Sequence, residues 1–244
     1  MTTSRVLVVE DDLNVRRFIQ MTLDPLEVEL VHCGTLAEAR RSLESAGASV
    51  VITDLSLPDG PGQDLLAWIR DRTVASTAVP ASTLACRTVV FSGGLNTTIE
   101  RQLEALGVWR VLHKPSSVGA LMACVSEALA SVAAAPATPA GPPARALDPV
   151  NDFFGGNRVL YDTYRQACSV QFGADLRTGD AAVAVRDCEA LRHVAHNLKS
   201  VLTMLGEADA AECARSTEAH AAAGAGDAMV QGWQRLRALV AGLI

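Results

Sequence analysis

Two sets of residues in this chain have the types and spacing to do chemistry. The first is acidic. Glu10, Asp11 and Asp12 follow the apolar run "RVLVV" (5–9), and Asp54 follows "SVVIT" (49–53). Ser92 and Lys114 follow two more such runs, "RTVVF" (87–91) and "RVLH" (110–113). Clustered carboxylates repel one another unless a divalent cation joins them, and all-oxygen ligands suit Mg²⁺. Asp54 in such a place can act as a nucleophile and take a phosphoryl group as an acyl phosphate. The cation and the Lys114 ammonium would then offset charge on the phosphoryl oxygens. Gly93 and Gly94 leave backbone room beside them. Asp12 also suits the N-cap of a following helix.

The second set lies in "AHNLKS" (195–200), where Lys199 stands three residues after His196. A neutral imidazole, with a reference pKa of about 6.5, is a competent nucleophile at cytoplasmic pH. A lysine at i+3 can pair with a phosphoryl group carried on it. Of the 21 basic side chains only Lys114 and Lys199 are lysine. A compact ammonium is a point charge, whereas guanidinium is a broad planar fork. The chain keeps lysine at the two places where a point charge beside a phosphoryl group is useful.

The elements that must position these residues can be read from periodicity. Strands are expected at 5–9, 28–32, 49–53, 87–91 and 110–113, several of them apolar on both faces as in a covered parallel sheet. Helix periodicity covers 13–23, 35–46, 62–72, 95–106 and 116–132. Five β-α units make a doubly wound α/β domain, with ligands outside the carboxyl ends of the strands. The connection at 74–86 is unusually long. Residues 133–149, "AAAPATPAGPPARALDP", hold five of the ten prolines and read as an extended linker of 17 residues, reaching roughly 50 Å. Beyond it the pattern is helical throughout: 157–177, 180–205, 207–223 and 227–243, broken at "TGD", "GE" and "GAGD", an antiparallel four-helix bundle.

On the helix at 180–205, Leu191, Ala195, Leu198, Leu202 and Leu205 form the buried stripe. His196, Lys199 and Thr203 follow an adjacent line, which places the histidine at the edge of the core, partly open to solvent. Small Ala195 and Ser200 would let a partner approach. His193 and His220 read as solvated surface residues; His32 and His113, in strands, read as packing residues.

Composition narrows the function classes. Net charge is −6, split as −4 before 132/133 and −2 after it, so no basic face invites nucleic acid or an anionic membrane. No uncharged apolar run is long enough to span a bilayer, and "MTTSRVLVVEDD" meets acids too early for a signal peptide. Six cysteines without C-x-x-C spacing read as reduced thiols of a cytoplasmic protein. No glycine-rich nucleotide motif appears, so autonomous kinase activity is not expected.

The ordered set "VVEDD", "VVITDLSLPDGPG", "VVFSGG" and "VLHKP" resembles the receiver domain of two-component response regulators, over roughly residues 4–131. That resemblance implies a flavodoxin-like fold with Asp54 as phosphoacceptor. It also implies Mg²⁺ held by Glu10, Asp11, Asp54 and the backbone carbonyl of Ser56. Ser92 and Lys114 would contact the phosphoryl group, and a cis bond would precede Pro115. Many receivers carry an aromatic switch three residues before the lysine; here that position is Val111. "AHNLKSVLTMLG" is similar to the histidine phosphotransfer (HPt) motif, with Gly206 ten residues after the histidine and Ser200 where the family usually has glycine. The domains would be a receiver at 1–132, the linker at 133–149 and an HPt domain at 150–244.

The implied function is a phosphorelay station. It would accept a phosphoryl group on Asp54 and on His196 and pass it between a sensor histidine kinase and a downstream response regulator. A different class of function, an adaptor that docks or sequesters a kinase without turnover, uses the same surfaces. A haloacid-type phosphatase needs a second aspartate two residues after the nucleophile, where this chain has Ser56.

Overall fold

The computed structural model describes residues 3–75, 86–130 and 148–244. It divides into two compact units, Met1–Ala144 and Arg145–Ile244. The expected long connection at 74–86 lies almost wholly outside the described residues, as does the linker from 133 to 147.

In chain order the first unit comprises β1 (Ser4–Val9), α1 (Leu13–Leu23), β2 (Val28–Cys33), α2 (Leu36–Ala46) and β3 (Val50–Thr53). A two-stranded ribbon follows, β4 (Ser56–Leu57) and β5 (Gly60–Pro61), then α3 (Gly62–Ala75) and β6 (Arg87–Ser92). The unit closes with α4 (Thr97–Ala105), β7 (Arg110–His113) and α5 (Val118–Leu129). The sheet is parallel, in the order β2-β1-β3-β6-β7. Val6 to Val9 and Val50 to Ile52 are buried on both faces, which is why those runs show no alternation of polar and apolar residues. The chain reverses its winding between β1 and β3, so their carboxyl ends lie side by side at the switch point of the sheet.

Local chemistry sets the helix starts. Asp12 caps α1, accepting from the amides of Asn14 and Val15. Thr35 caps α2, and the Asp59 carboxylate adds two bonds, from Leu36 at 2.8 Å and Ala37 at 3.0 Å. Asp59 lies in the β4–β5 turn, so this contact ties the loop after β3 to α2. His113 is exposed and stands 3.8 Å from Glu100, not packed inside as its strand position suggests. It is the last residue of β7, where one side of the chain faces outward.

In the second unit, helices are α6 (Pro149–Phe154), α7 (Arg158–Ala184), α8 (Cys188–Leu205), α9 (Ala208–Ala222) and α10 (Gly226–Ala241). Helix α7 packs on α8, α8 on α9, α9 on α10 and α10 on α7. Three details differ from the sequence reading. The expected break at "TGD" is absent, because Gly179 serves packing: a Cβ there would lie 2.1 Å from the Trp233 ring. Asp180 accepts from Trp233 Nε1 and from Arg237, both at 2.9 Å, and this locks α7 onto α10. The break falls instead at Val185–Asp187, with Arg186 in the left-handed region (φ 54°) and Asp187 capping α8. Finally, Asp148 and Pro149, read as linker, cap and open α6, a short helix that the periodicity did not reveal.

Candidate functional sites

The carboxyl ends of β1, β3, β6 and β7 carry the acidic site. Each functional residue is fixed by ladder bonds across the sheet: Glu10 N to Cys33 O, Asp54 N to Val9 O, and Lys114 N to Ser92 O. Glu10, Asp54 and Ser92 are all buried. The Lys114 ammonium donates to Glu10 Oε2 at 2.5 Å and to Asp54 Oδ2 at 2.6 Å. Asp54 Oδ1 accepts from the amides of Leu55 (2.5 Å) and Ser56 (3.4 Å). The bond between Lys114 and Pro115 is cis, as expected. One residue that the sequence reading passed over is Gly62. A Cβ there would sit 2.0 Å from the Asp54 carbonyl oxygen, so α3 can start this close to Asp54 only with glycine. A Cβ on Gly94 would meet nothing within 4 Å, so space alone does not require glycine there.

Electrostatics here are one-sided. Burial pushes the Glu10 carboxyl well above its ordinary range; Lys114 opposes this, and Asp54 and Asp12 add to it. Burial alone would lower the Lys114 ammonium, but the facing Asp54 and Glu10 carboxylates reverse that and hold it charged. Oxygen donors around excess negative charge suit a hard divalent cation in type. Among the described residues no group of three or more His, Cys, Asp or Glu side chains is arranged to hold a metal ion. Lys114 stands between Glu10 and Asp54, and Asp12 is committed to its cap. A metal at this site therefore needs oxygens beyond the carboxylates, such as the Ser56 carbonyl, or a shift of Lys114.

The second site lies on α8 and α9. His196 is 4% exposed, not at the solvent-facing edge expected of it. Glu218 on α9 holds His196 Nδ1 at 2.7 Å from its Oε1 and accepts from Lys199 Nζ at 2.5 Å through Oε2. Burial would raise the Glu218 carboxyl, yet the hydrogen bonds from His196 and Lys199 bring it down to about 2. An ionised Glu218 can only accept, so Nδ1 donates, and in the neutral imidazole the lone pair is then on Nε2. Among the described residues Nε2 has no hydrogen-bond partner. Ala195 and Ser200 are also buried, so their small size serves core packing, not the approach of a partner. Thr203 Oγ1 bonds back to the Lys199 carbonyl. Glu218 is the functional candidate that the sequence did not reveal. In "RSTEAH" it is one acid on a helix, and only the pairing of α8 with α9 brings it to His196.

Residues 6–126 match the family model of the response regulator receiver domain. The chain is 31% identical over 129 residues to the response regulator protein PilR of Pseudomonas aeruginosa, covering 53% of this chain and 27% of that protein. It is 38% identical over 64 residues to the swarming motility regulation protein RssB of Serratia marcescens, covering 26% of this chain and 29% of that protein. It thus spans less than a third of each of these curated relatives. Among solved structures, the chemotaxis response regulator CheY4 of Vibrio cholerae is 20% identical with a TM-score of 0.45, covering 52% of this chain and 99% of that one. Among the described residues, no helix is long and apolar enough to cross a membrane. The family match and the order of strands and acids agree: residues 6–126 are a response regulator receiver domain.

Proposed function

We propose that the chain is a cytoplasmic phosphorelay protein, a receiver joined to an HPt-type four-helix bundle. Its receiver implies phosphoryl acceptance on an aspartate, and Asp54 is that residue in this reading. Glu10, Asp11, Asp54 and the Ser56 carbonyl would hold Mg²⁺, which when bound offsets charge on the phosphoryl oxygens. Lys114 does the same from within the chain. Ser92, at the end of β6, would contact the phosphoryl group. In the bundle His196 is the second acceptor, with Lys199 beside it. A sensor histidine kinase and a downstream response regulator are the partners. Val111 stands where an aromatic readout residue would be, which favours handing the group on over signalling by shape.

The observation that carries the reading is the His196–Glu218–Lys199 arrangement. A histidine whose Nδ1 is held by an ionised carboxylate, whose Nε2 is unpartnered, and which has a lysine one turn away is set up as a nucleophile. Most buried side-chain polar atoms find a partner, so the open Nε2 calls for an explanation.

Phosphotransfer profiling against the sensor kinases of the same organism tests this. At least one kinase should label the chain, Asp54→Asn should remove base-labile label, and His196→Gln should remove acid-labile label. Receiver labelling by acetyl phosphate should stop in excess EDTA. Binding of a kinase with no label at either position would favour the adaptor class instead. If Asp54 passes its phosphoryl group to His196 within one chain, phosphohistidine will form at a rate independent of protein concentration.

A further inference from the structure

We propose that Arg192 is a second phosphoryl-binding cation of the His196 site, exchanging its present carboxylate partner for the phosphoryl oxygens when His196 is modified. The inference rests on His196 being an acceptor. It goes beyond that reading in naming a residue outside the His-x-x-Lys pattern.

Charge bookkeeping shows that such a cation is needed. Before transfer, a neutral imidazole, ionised Glu218 and charged Lys199 sum to zero. In the transfer, the Nε2 lone pair forms the N–P bond as the P–O bond of the donor acyl phosphate breaks, and that electron pair leaves on the donor carboxylate. The Nδ1 proton stays shared with Glu218. The ring then carries +1 and the phosphoryl group −2. With Glu218 at −1 and Lys199 at +1, the site stands at −1. His196 is 4% exposed, so water does not fully screen this excess. Lys199 is already bound to Glu218 at 2.5 Å and has to serve two anions.

Geometry points to Arg192 as the cation that closes the balance. It lies four residues before His196 on α8 (Cys188–Leu205). At 100° per residue, the direction of Arg192 around the helix falls between those of His196 and Lys199, about one turn N-terminal to His196. Side chains on a helix lean toward its N-terminus, so the His196 ring tilts over the turn that carries Arg192. The guanidinium is 30% exposed at its side chain and is held by Glu189, one turn further back, at 2.6 and 3.1 Å. Those bonds first, and the Glu218 carboxylate after them, keep it charged, so it already lies within the field of the site. Glu189 is itself well exposed, and leaving it for a dianion costs little, because an exposed ion pair at i,i+3 is weak. A guanidinium reaches phosphoryl oxygens through two parallel N–H donors, which is the geometry this exchange uses.

The test uses the full-length protein and phosphoramidate, a small donor that needs no kinase. Label formation at His196 and the ³¹P chemical shift of the product are followed in wild type, Arg192→Ala, Arg192→Lys, Glu189→Gln and His196→Gln. Wild type should form base-stable label and His196→Gln should not, since any label on Asp54 is base-labile. Absence of label in wild type would overturn the His196 reading itself. Given labelling, Arg192→Ala should slow formation about ten-fold and move the ³¹P shift, as expected for loss of the charge-assisted guanidinium–phosphoryl contact. Arg192→Lys should restore part of the rate, and Glu189→Gln, which frees the guanidinium, should match or exceed wild type. Helicity should be unchanged throughout, since Arg192 lies off the buried stripe. Wild-type rate and an unmoved ³¹P shift in Arg192→Ala would overturn the proposal, as would a Glu189→Gln rate below wild type.

Discussion

Both lysines of this chain touch a carboxylate, and the two carboxylates do different work. In the receiver, Lys114 binds Asp54, the acceptor in the proposed function, together with Glu10. In the helical unit, Lys199 binds Glu218, which also holds Nδ1 of His196, the acceptor in the proposed function. An aspartate is already a charged nucleophile and needs its charge offset. A histidine is neutral and needs its tautomer fixed. The same pair of residue types, Lys with Asp or Glu, therefore sits at the nucleophile in one unit and behind it in the other. Burial differs in step. Lys114 is 3% exposed at its side chain, whereas Lys199 and Glu218 are 19% and 18% exposed.

The comparison makes its largest prediction for the acceptors. Asp54→Asn should abolish base-labile label and leave phosphohistidine formation from outside donors intact; His196→Gln should do the reverse. Loss of both kinds of label in either single variant would mean that the two units are not separate stations. This is checked by splitting the label into acid-labile and base-labile fractions.

The lysines should separate next. Lys114→Ala leaves Glu10 and Asp54 buried without their cation, which costs about 3–5 kcal/mol in the stability of the receiver. Lys199→Ala opens a partly exposed pair and should cost no more than about 1 kcal/mol, while slowing transfer to His196. Urea unfolding of the two variants measures both costs. Equal costs would break the distinction drawn from burial.

A smaller effect is expected at Gly62. Gly62→Ala pushes a Cβ into the Asp54 carbonyl, and an overpacked contact of this kind costs about 1–3 kcal/mol. It should also lower the rate of acetyl phosphate labelling. A crystal structure of the variant should show the loop after β3 displaced.

The mildest test is pH. The Glu218 carboxyl is lowered in the folded state to about 2 from an ordinary value of 4.5. A depressed carboxylate stabilises the fold above its unfolded pKa, and this contribution is lost as pH falls through the folded value. The helical unit should therefore lose stability progressively between about pH 4.5 and pH 2, and Glu218→Gln should flatten that loss. Helicity followed by circular dichroism across this range checks it.

Much of this organisation could be read from the sequence, for physical reasons. Strands β1, β3 and β6 are apolar on both faces, and β1 and β3 are followed directly by acids, so both the sheet and the pocket show in short quoted runs. The stripe Leu191, Ala195, Leu198, Leu202 and Leu205 is buried as its spacing requires. What stayed hidden depends on partners distant in the chain. Gly179 looked like a helix breaker because Trp233, which it packs against, lies 54 positions away on another helix. The pairing of His196 with Glu218 needs α9, and periodicity within α8 carries no information about α9. Gly62 shows its purpose only when α3 comes back against the carbonyl of Asp54. Asp59, in the turn after β3, shows its role as a second cap for α2 only once the fold brings it to Leu36 and Ala37.

The most direct measurement uses full-length Asp54→Asn, so that no label can rest on the receiver. The protein is incubated with labelled, phosphorylated receivers from the same organism, and the position of any base-stable label is mapped by mass spectrometry. The account predicts phosphohistidine at position 196 from at least one donor, lost in the Asp54→Asn, His196→Gln double variant. No base-stable label from any donor in the panel, or label on a histidine other than His196, would contradict it.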